Sequence, residues 1–443
     1  MDVAGAWAQH LNPAFVRLLG VFGYGRVWTR ADDVWMWDDQ GRRYLDALAA
    51  FGAASVGHNH PRLVARVRGF FDDQPLGLCH TGPTRHAAAL ATDLAARLAP
   101  LTVSLLASGG AEAVEAAVKL AVAATGRSGL LYTTNGYHGT SVGTLALMGA
   151  PRMRAPFEAL LADAVAVPYG EIGPVRDALA SRRFAAFVVE PVQAEGGVVA
   201  PPDGWLADVA ALCRKAGTLF VLDEIQSGLG RVGTFVDDVV PDVRVLGKAL
   251  GGGLVPVSVA VTTPAWHAKA YGTMERFDLH SSTYGGGALG CVIATEALAI
   301  LDGLTPTVAA RGERLREGLR AALAGHPFVK DVRGRGLLVG VELGPASGLA
   351  SRLAPGLVEL LSKQVLGQWL AVRLLEAGVV AQPATLAWNV LRLEPPLTIA
   401  DPEIDRIIAA VATVLNEVRS VPTLLADVTA RMGEQAWRGG TFR

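Results

Sequence analysis

Three segments of the sequence decide the fold: FVVEPVQAEGGVVAPPDGW at 187–205, GTLFVLDEIQSGLGRVGTF at 217–235 and PDVRVLGKALGGG at 241–253. Within or beside them lie three short apolar runs: Ala185–Val189, Thr218–Leu222 and Val243–Leu246. Each run is too short for a helix and rich in Val, Leu or Phe, which is typical of a strand that is buried on both faces. We therefore predict an α/β fold in which these runs are strands of one parallel sheet.

A polar residue follows each of these runs. Glu190 follows the first, Asp223 and Glu224 follow the second, and Lys248 follows the third. In open α/β sheets, reactive groups collect at the carboxyl ends of the strands. The sequence therefore predicts that carboxylates and a lysine meet at one edge of the sheet.

Lys248 is surrounded in the sequence by apolar and glycine residues, in GKALGGG. Burial disfavours the charged form of a lysine, so a lysine held there loses its proton more easily. A neutral amine attacks carbonyl carbons and can form a Schiff base. Taken alone, Lys248 is better interpreted as an exposed lysine whose stem lies along the surface, because most lysines are exposed; its sequence neighbourhood reverses that preference.

Asp223 follows the apolar residues FVL, so we expect it at a strand end and partly buried. A buried carboxylate requires a cationic partner. The protonated pyridine nitrogen of pyridoxal 5′-phosphate (PLP) would be such a partner, and an Asp there keeps the ring an electron sink. A lysine and an aspartate on neighbouring strands are the minimum set for this cofactor.

The motifs VLDEIQSGLGRVGTF (221–235) and GKALGGG (247–253) resemble the class III aminotransferases, the ornithine, acetylornithine and diamine branch of fold-type I PLP enzymes. The resemblance extends from about Asp38 to Leu397. It implies a large domain with a mostly parallel sheet and a small α+β domain. We expect an N-terminal arm and part of the small domain at 1–60, the large PLP-binding domain at 61–303 and the C-terminal small domain at 304–443.

Composition limits the other classes of function. The chain has 443 residues, of which 51% are hydrophobic and 18% charged, with a net charge of -1. This is the profile of a globular protein with a large core, and it offers no basic excess for nucleic acid. The three cysteines suit a reducing cytoplasm, and neither a signal peptide nor a membrane span is expected.

The segment VSLLASGGAEAVEAAVKLAVAATG (103–126) predicts a strand, a glycine turn and an amphipathic helix. Ser108, Gly110 and Ala111 then lie at the helix N-terminus, where free N–H groups and the helix dipole favour a phosphate. Such turns are common, so the signal alone is weak. The resemblance implies that the amides of Gly110 and Ala111 hold the PLP phosphate.

The resemblance implies roles for four more cofactor-binding residues. In NGYHG (135–139), Tyr137 stacks on the PLP ring with His138 beside it; without the resemblance, an aromatic packed under a loop is the simpler interpretation. Gln226 places its amide on the phenolic oxygen. Thr283, in LHSSTYGGG (279–287), donates to the phosphate across a subunit interface, which implies a homodimer.

The resemblance also implies a substrate site. Glu195 pairs with Arg392, and the pair masks the arginine while a terminal (ω) amine binds. When they separate, Arg392 holds a substrate carboxylate through two hydrogen bonds. A static buried salt bridge is the alternative. Phe51 stands where ornithine-specific relatives carry a tyrosine, and Glu190 is interpreted as structural.

These residues predict an aminotransferase that moves an amino group from a terminal amine, such as a diamine, to a 2-oxo acid. It would use a ping-pong mechanism through Lys248. Three alternatives stay open: an ornithine or acetylornithine aminotransferase, a PLP-dependent aminomutase or decarboxylase, and a non-catalytic PLP-binding module.

Three further features are not assigned to catalysis. His58 and His60 lack further ligands at metal-binding spacing, so we interpret them as loop packing and predict no metal. The apolar window 353–380 is interpreted as a buried or interface helix. The spacer at 345–377 and the tail after 421 receive no function.

Overall fold

The computed structural model describes residues 2–21, 23–344 and 365–437. Its helices are α1 Val3–His10, α2 Pro13–Val21, α3 Ala49–Gly52, α4 Pro61–Asp72, α5 Arg85–Leu98, α6 Gly110–Thr125, α7 Val142–Leu145, α8 Pro151–Arg154, α9 Ile172–Ala180, α10 Trp205–Ala216, α11 Pro264–Tyr271, α12 Ala288–Ala322, α13 Leu366–Glu376, α14 Asp401–Asn416 and α15 Val421–Trp437. Short 3-10 helices cover Ala155–Leu160 and Lys248–Gly251.

The strands are β1 Trp28–Asp32, β2 Trp35–Asp38, β3 Arg43–Asp46, β4 Val103–Ala107, β5 Gly129–Thr133, β6 Ala164–Val167, β7 Phe184–Val189, β8 Leu219–Asp223, β9 Val243–Leu246, β10 Ser258–Thr262, β11 Val329–Arg335, β12 Leu338–Leu343, β13 Val379–Val380, β14 Gln382–Pro383 and β15 Val390–Leu393. They form one seven-stranded sheet and two four-stranded sheets. The seven-stranded sheet has the order β4-β10-β9-β8-β7-β5-β6.

The three apolar runs are the adjacent strands β7, β8 and β9, and they are parallel to one another. Every residue of these strands is buried. Helices cover both faces of the sheet, and this explains why the three apolar runs lack alternating polar residues. The two pairs that β10 makes, with β4 and β9, are antiparallel, and the other four pairs are parallel. The large sheet is therefore mostly parallel, and the predicted fold class is confirmed.

The two chain ends meet in the smaller sheets. Strand β13 pairs in parallel with β3, which joins a C-terminal strand to the N-terminal hairpin. The second small sheet, of order β11-β12-β15-β14, carries Arg392 on β15. The division of the chain at residues 60 and 303 stays a prediction, and its second boundary falls inside α12.

Helix α12 is long and apolar enough, by length and composition, to cross a membrane, and half of its most apolar window is buried in the protein. The bent pair of α14 and the first part of α15 passes the same test only if both helices are joined across a bend of 102°. Fully buried core residues of α12 include Ile293, Ala297 and Leu301, so core packing accounts for its apolar composition.

Part of the spacer and most of the tail can be described. Within 345–377, residues 345–364 lie outside the described ranges, and the rest contains α13. The tail forms α15, whose Asp427 accepts hydrogen bonds from Trp369 at 2.7 Å and from Arg373 at 3.2 Å. The tail helix is therefore attached to α13 by a partly buried charged network.

Candidate active site

Asp223 and Lys248 lie at the same edge of the large sheet. Asp223 is the last residue of β8 and is paired with Val245 of β9, and Lys248 follows β9 after one glycine. The Lys248 ammonium donates a hydrogen bond to the Gln226 side-chain oxygen, in the turn that follows Asp223. Parallel neighbouring strands therefore bring these residues together, as their positions after apolar runs predict.

Asp223 is almost fully buried and takes part in a buried ion pair. Its Oδ2 lies 2.7 Å from His138 Nδ1, and its Oδ1 accepts the backbone N–H of Ile225 at 3.1 Å. Burial alone lowers the pKa of His138, but the hydrogen bond and the negative charge of Asp223 raise it above its ordinary value. Each carboxylate oxygen can still accept a second hydrogen bond.

Lys248 has a lowered pKa because burial disfavours its charge; the carboxylates of Glu394 and Glu195 oppose this shift. Its backbone is in the left-handed region, with a φ of 41°. Non-glycine residues in that region cost of order 1–3 kcal/mol and cluster at functional sites. The surrounding fold thus holds the amine in a fixed position where it can lose its proton.

Helix α6 begins at the glycine turn that carries Ser108, Gly110 and Ala111. Its cap residue is Gly109, so no side chain caps the first-turn amides. Glu112 turns back instead to accept the N–H of Ser108 at 2.9 Å. The first N–H groups of a helix have no hydrogen-bond partner within the helix, and the helix dipole is positive at this end.

Tyr137 is held in place by Glu190. Its backbone N–H donates to Glu190 Oε1 at 2.9 Å, and the hydroxyl of Tyr169 donates to the Glu190 carbonyl at 2.9 Å. Burial raises the pKa of Glu190 to about 8, aided by the charge of Asp223. Glu190 therefore fixes two neighbouring loops, which agrees with a structural interpretation.

Arg392 is fully buried and forms an ion pair with Glu195. The second oxygen of Glu195 accepts the backbone N–H of Thr385 at 3.0 Å. Burial would raise the pKa of Glu195, but the positive charges of Arg392 and Lys248 lower it to about 2. Glu195 is therefore ionised at neutral pH and masks part of the Arg392 charge.

Phe51 covers the guanidinium of Arg392, whose Cζ lies 4.9 Å from the ring centroid. The aromatic face attracts a cation at this distance. Phe51 is the third of four consecutive left-handed residues: Ala49, Ala50, Phe51 and Gly52 have φ angles of 47°, 49°, 60° and 83°. This unusual backbone turns the ring toward the arginine.

Glu394 is a site residue that the sequence analysis missed. It is fully buried, accepts a hydrogen bond from Gln226 Nε2 at 2.8 Å, and lies 3.5 Å from Arg392 Nε and 3.8 Å from Arg231 Nε. It therefore connects Gln226, which contacts Lys248, with Arg392. The sequence did contain a signal for Glu394. Residues two apart in an extended chain lie on the same face, so a charged residue two positions after Arg392 lies on the same face as Arg392.

Thr283 is exposed within the single chain. Its neighbour Ser282 hydrogen-bonds to Glu112, in the first turn of α6, and this contact helps to lower the pKa of Glu112 against the effect of burial. Among the described residues, no hydrogen bond or ion pair joins Thr283 itself to Lys248 or Asp223. The segment therefore lies beside the amide-rich end of α6, with Thr283 facing outward.

The family model Aminotransferase class-III matches residues 23–415. The chain belongs to the class III aminotransferases. This class III aminotransferase is 32% identical to a putrescine aminotransferase of Pectobacterium atrosepticum, over 94% of this chain and 89% of the relative. It is also 32% identical to Aminotransferase PigE of a Serratia species, over 94% of this chain; it spans about half of that relative, 54%.

Solved structures of other aminotransferases share this fold. The ornithine aminotransferase of Toxoplasma gondii has a TM-score of 0.79 and 29% identity, with 89% of this chain and 92% of that chain covered. The acetylornithine aminotransferase of Elizabethkingia anophelis has a TM-score of 0.71 and 27% identity, with 89% and 94% covered. The chain is therefore a PLP-dependent transaminase of fold type I.

The described residues fit PLP by their own chemistry. Asp223 is a buried carboxylate with acceptor capacity left for a ring N–H, and the α6 end is an anion site without a side-chain cap. Lys248 is partly buried and its pKa is lowered by loss of solvation, which favours the neutral amine that attacks a carbonyl. His138 also presents a buried Nε2 without a hydrogen-bond partner among the described residues.

Proposed function

We propose that this aminotransferase takes the amino group from a terminal primary amine, such as a diamine, and gives it to a 2-oxo acid. The ion pair between Glu195 and Arg392 carries the proposal. The pairing with Glu195 and the ring of Phe51 both reduce the access of a donor carboxylate to the charge of Arg392. Such a pocket suits an amine whose reacting end has no neighbouring carboxylate.

The 2-oxo acid requires the opposite state of the same pair. Its carboxylate needs a cation, and arginine binds carboxylates through two parallel hydrogen bonds. Arg392 Nη2 makes no hydrogen bond among the described residues, and Nη1 is released when Glu195 moves, so these two groups can together bind the carboxylate. Glu394 stays close to Arg392 and supports its orientation from the other side.

When bound, PLP supplies an aldehyde that reacts with amines and a ring that stabilises negative charge on the adjoining carbon. We propose that Lys248 holds this aldehyde and later moves a proton at the reacting carbon of the substrate. Asp223 would face the ring nitrogen, Gln226 the phenolic oxygen, and Tyr137 the ring face with His138 behind it. The amides of Gly110 and Ala111, beside Ser108, would hold the phosphate.

The name of the Pectobacterium relative supports the donor class, because putrescine is a diamine. Phe51 lacks the hydroxyl with which a tyrosine would contact a donor carboxylate, and this also favours an ω-amine over ornithine.

The test is a donor screen with the PLP-loaded enzyme. Putrescine, ornithine, N-acetylornithine and β-alanine are each paired with pyruvate and with 2-oxoglutarate, and the carbonyl product is measured. We expect putrescine to give the highest kcat/KM and turnover to require an oxo acid. A preference for N-acetylornithine would overturn the donor class, and turnover without an oxo acid would indicate an aminomutase or a decarboxylase.

We further propose that the enzyme works in the cytoplasm as a homodimer with Thr283 facing the partner site. Exposed apolar side chains surround this segment: Leu76, Met274, Phe277 and Tyr284. The carbonyl of Gly77 accepts the N–H of Ala288 at 2.9 Å, which places 76–78 beside the Thr283 segment. Sedimentation of the loaded enzyme should give twice the chain mass, and Thr283→Ala should lose PLP faster on dialysis.

A further inference from the structure

A cavity of about 440 Å³ lies between the N-terminal helices and the first small sheet. Its volume is within the range of small-molecule sites, about 300–1,000 Å³. Side chains of α1 and α2 form one side: Val3, Trp7, Phe15, Val16 and Leu19. The opposite side includes Met36, Leu48 and Ala50. The lining is therefore mainly aliphatic and aromatic.

The charged residues of this cavity, Arg26, Asp46 and His58, are already bonded to the protein. Asp46 accepts the N–H groups of Leu48 and Ala49 at 2.8 and 2.9 Å, and pairs with His58 at 2.8 Å. Arg26 donates to the Tyr44 hydroxyl at 3.2 Å. A charged ligand would have to replace these internal contacts, whereas a hydrocarbon gains from the apolar wall without disturbing them.

Helices α1 and α2 have almost no core of their own. No residue of α1 is buried, although the helix carries Val3 and Trp7. Trp7 and Phe15 are 43% and 42% exposed, and their ring centroids lie 6.1 Å apart. These apolar side chains contact the cavity instead of a packed interior, so an apolar occupant would bury them.

A single segment separates the cavity from the substrate pocket. Ala50 lines the cavity, and the next residue, Phe51, lies over Arg392. Gln382 also lines the cavity and is the strand partner of Arg392. The separating segment is the left-handed run 49–52, in which three non-glycine residues adopt a backbone conformation that they rarely adopt.

We propose that the cavity binds the hydrocarbon chain of the amine donor while the amino group lies at Lys248. The inference rests on the proposed terminal-amine activity and extends it to alkyl-substituted amines. The chain passes Phe51 and enters between α1, α2 and Ala50. Each methylene buried there raises kcat/KM about threefold to fourfold, until the cavity is full.

The test measures kcat/KM for n-propylamine, n-hexylamine and n-octylamine in wild type, Val16→Trp and Leu18→Trp. Val16 lines the cavity, whereas Leu18 on the same helix is 51% exposed and outside the lining. We expect Val16→Trp to lower the value for octylamine about tenfold or more and to leave propylamine unchanged. Leu18→Trp should leave the whole series unchanged.

A second variant keeps the test informative if Val16→Trp does not fold. Trp7→Ala enlarges the cavity and should move the optimum toward longer chains. The proposal is overturned if kcat/KM does not rise with chain length in wild type, or if Val16→Trp and Leu18→Trp behave alike. It is also overturned if Val16→Trp instead changes the sedimentation mass, since a second copy would then fill the cavity. Failure of every amine, putrescine included, would reject the proposed function itself.

Discussion

The sheet edge around Lys248 and the N-terminal wall around Phe51 are built in opposite ways. At the sheet edge, fully buried parallel strands fix Asp223, and hydrogen bonds connect Lys248 to Gln226 and Glu394. At the wall, the backbone is left-handed, and α1, which lies beyond it, buries no residue. Every strand residue of the first region is buried, whereas Ala50, Phe51 and all of α1 in the second region keep side chains that are partly or fully exposed.

The difference separates chemistry from substrate choice. Proton transfer at the reacting carbon needs groups held within hydrogen-bond reach, and a packed sheet provides that precision. A wall with little core can change its side chains at a low cost in stability, because few packed neighbours are disturbed. We therefore expect mutations at the sheet edge to stop the reaction and mutations at the wall to redirect it.

The largest effect is expected from a substitution at the sheet edge. Lys248→Ala removes the amine, so transamination should fall by at least about 10²–10⁴-fold, the range of a general acid–base group. Borohydride reduction followed by mass spectrometry should attach PLP to the wild-type peptide that contains residue 248 and not to the variant. Lys215→Ala, an exposed lysine on α10, is the control. Full activity of Lys248→Ala would contradict the assignment.

An effect of intermediate size is expected at the Glu195–Arg392 ion pair, which joins the two regions. Glu195→Gln removes the charge that masks Arg392. The rate with amines that carry a carboxylate near the reacting carbon should therefore rise, relative to the rate with putrescine, by about tenfold or more. Rapid-reaction kinetics of each half-reaction measure this ratio.

The control for the pair is Glu417→Gln, which breaks a surface ion pair with Arg373 and should leave the ratio unchanged. A Glu195→Gln enzyme with lower stability but an unaltered donor ratio would indicate a static salt bridge.

The smallest effect concerns stability. The folded pKa of Glu190, about 8, lies above the ordinary value of 4.5, so the folded state binds more protons between these pH values. The free energy of unfolding therefore falls as pH rises from about 4.5 to 8. Glu190→Gln, which can still accept the Tyr137 N–H, should weaken this dependence. Melting curves of both proteins at pH 5 and pH 8 measure this dependence. An equal loss of stability between these pH values in both proteins would contradict the raised pKa of Glu190.

Much of the sheet edge was predictable because its signals are local. An apolar run followed by a polar residue marks a buried strand and its carboxyl end, and parallel strands align those ends. Glu394 was missed although its position on the strand was readable, because its role depends on a hydrogen bond from Gln226, far away in the chain.

The wall was not predictable, since alanine residues give no sign that they adopt a left-handed backbone. The cavity, too, arises from side chains of α1, α2, β2 and β14 that no sequence spacing relates.

By itself, the sequence determined the α/β class, the strand ends that carry Asp223 and Lys248, and the family. These follow from hydrophobic periodicity and motif residues that lie near one another in the chain. Only the tertiary structure decided that Glu394 connects Gln226 to Arg392, that Phe51 covers the arginine, and that a hydrocarbon-lined cavity lies behind it. These are contacts between distant segments, and packing in three dimensions, not local preference, selects them.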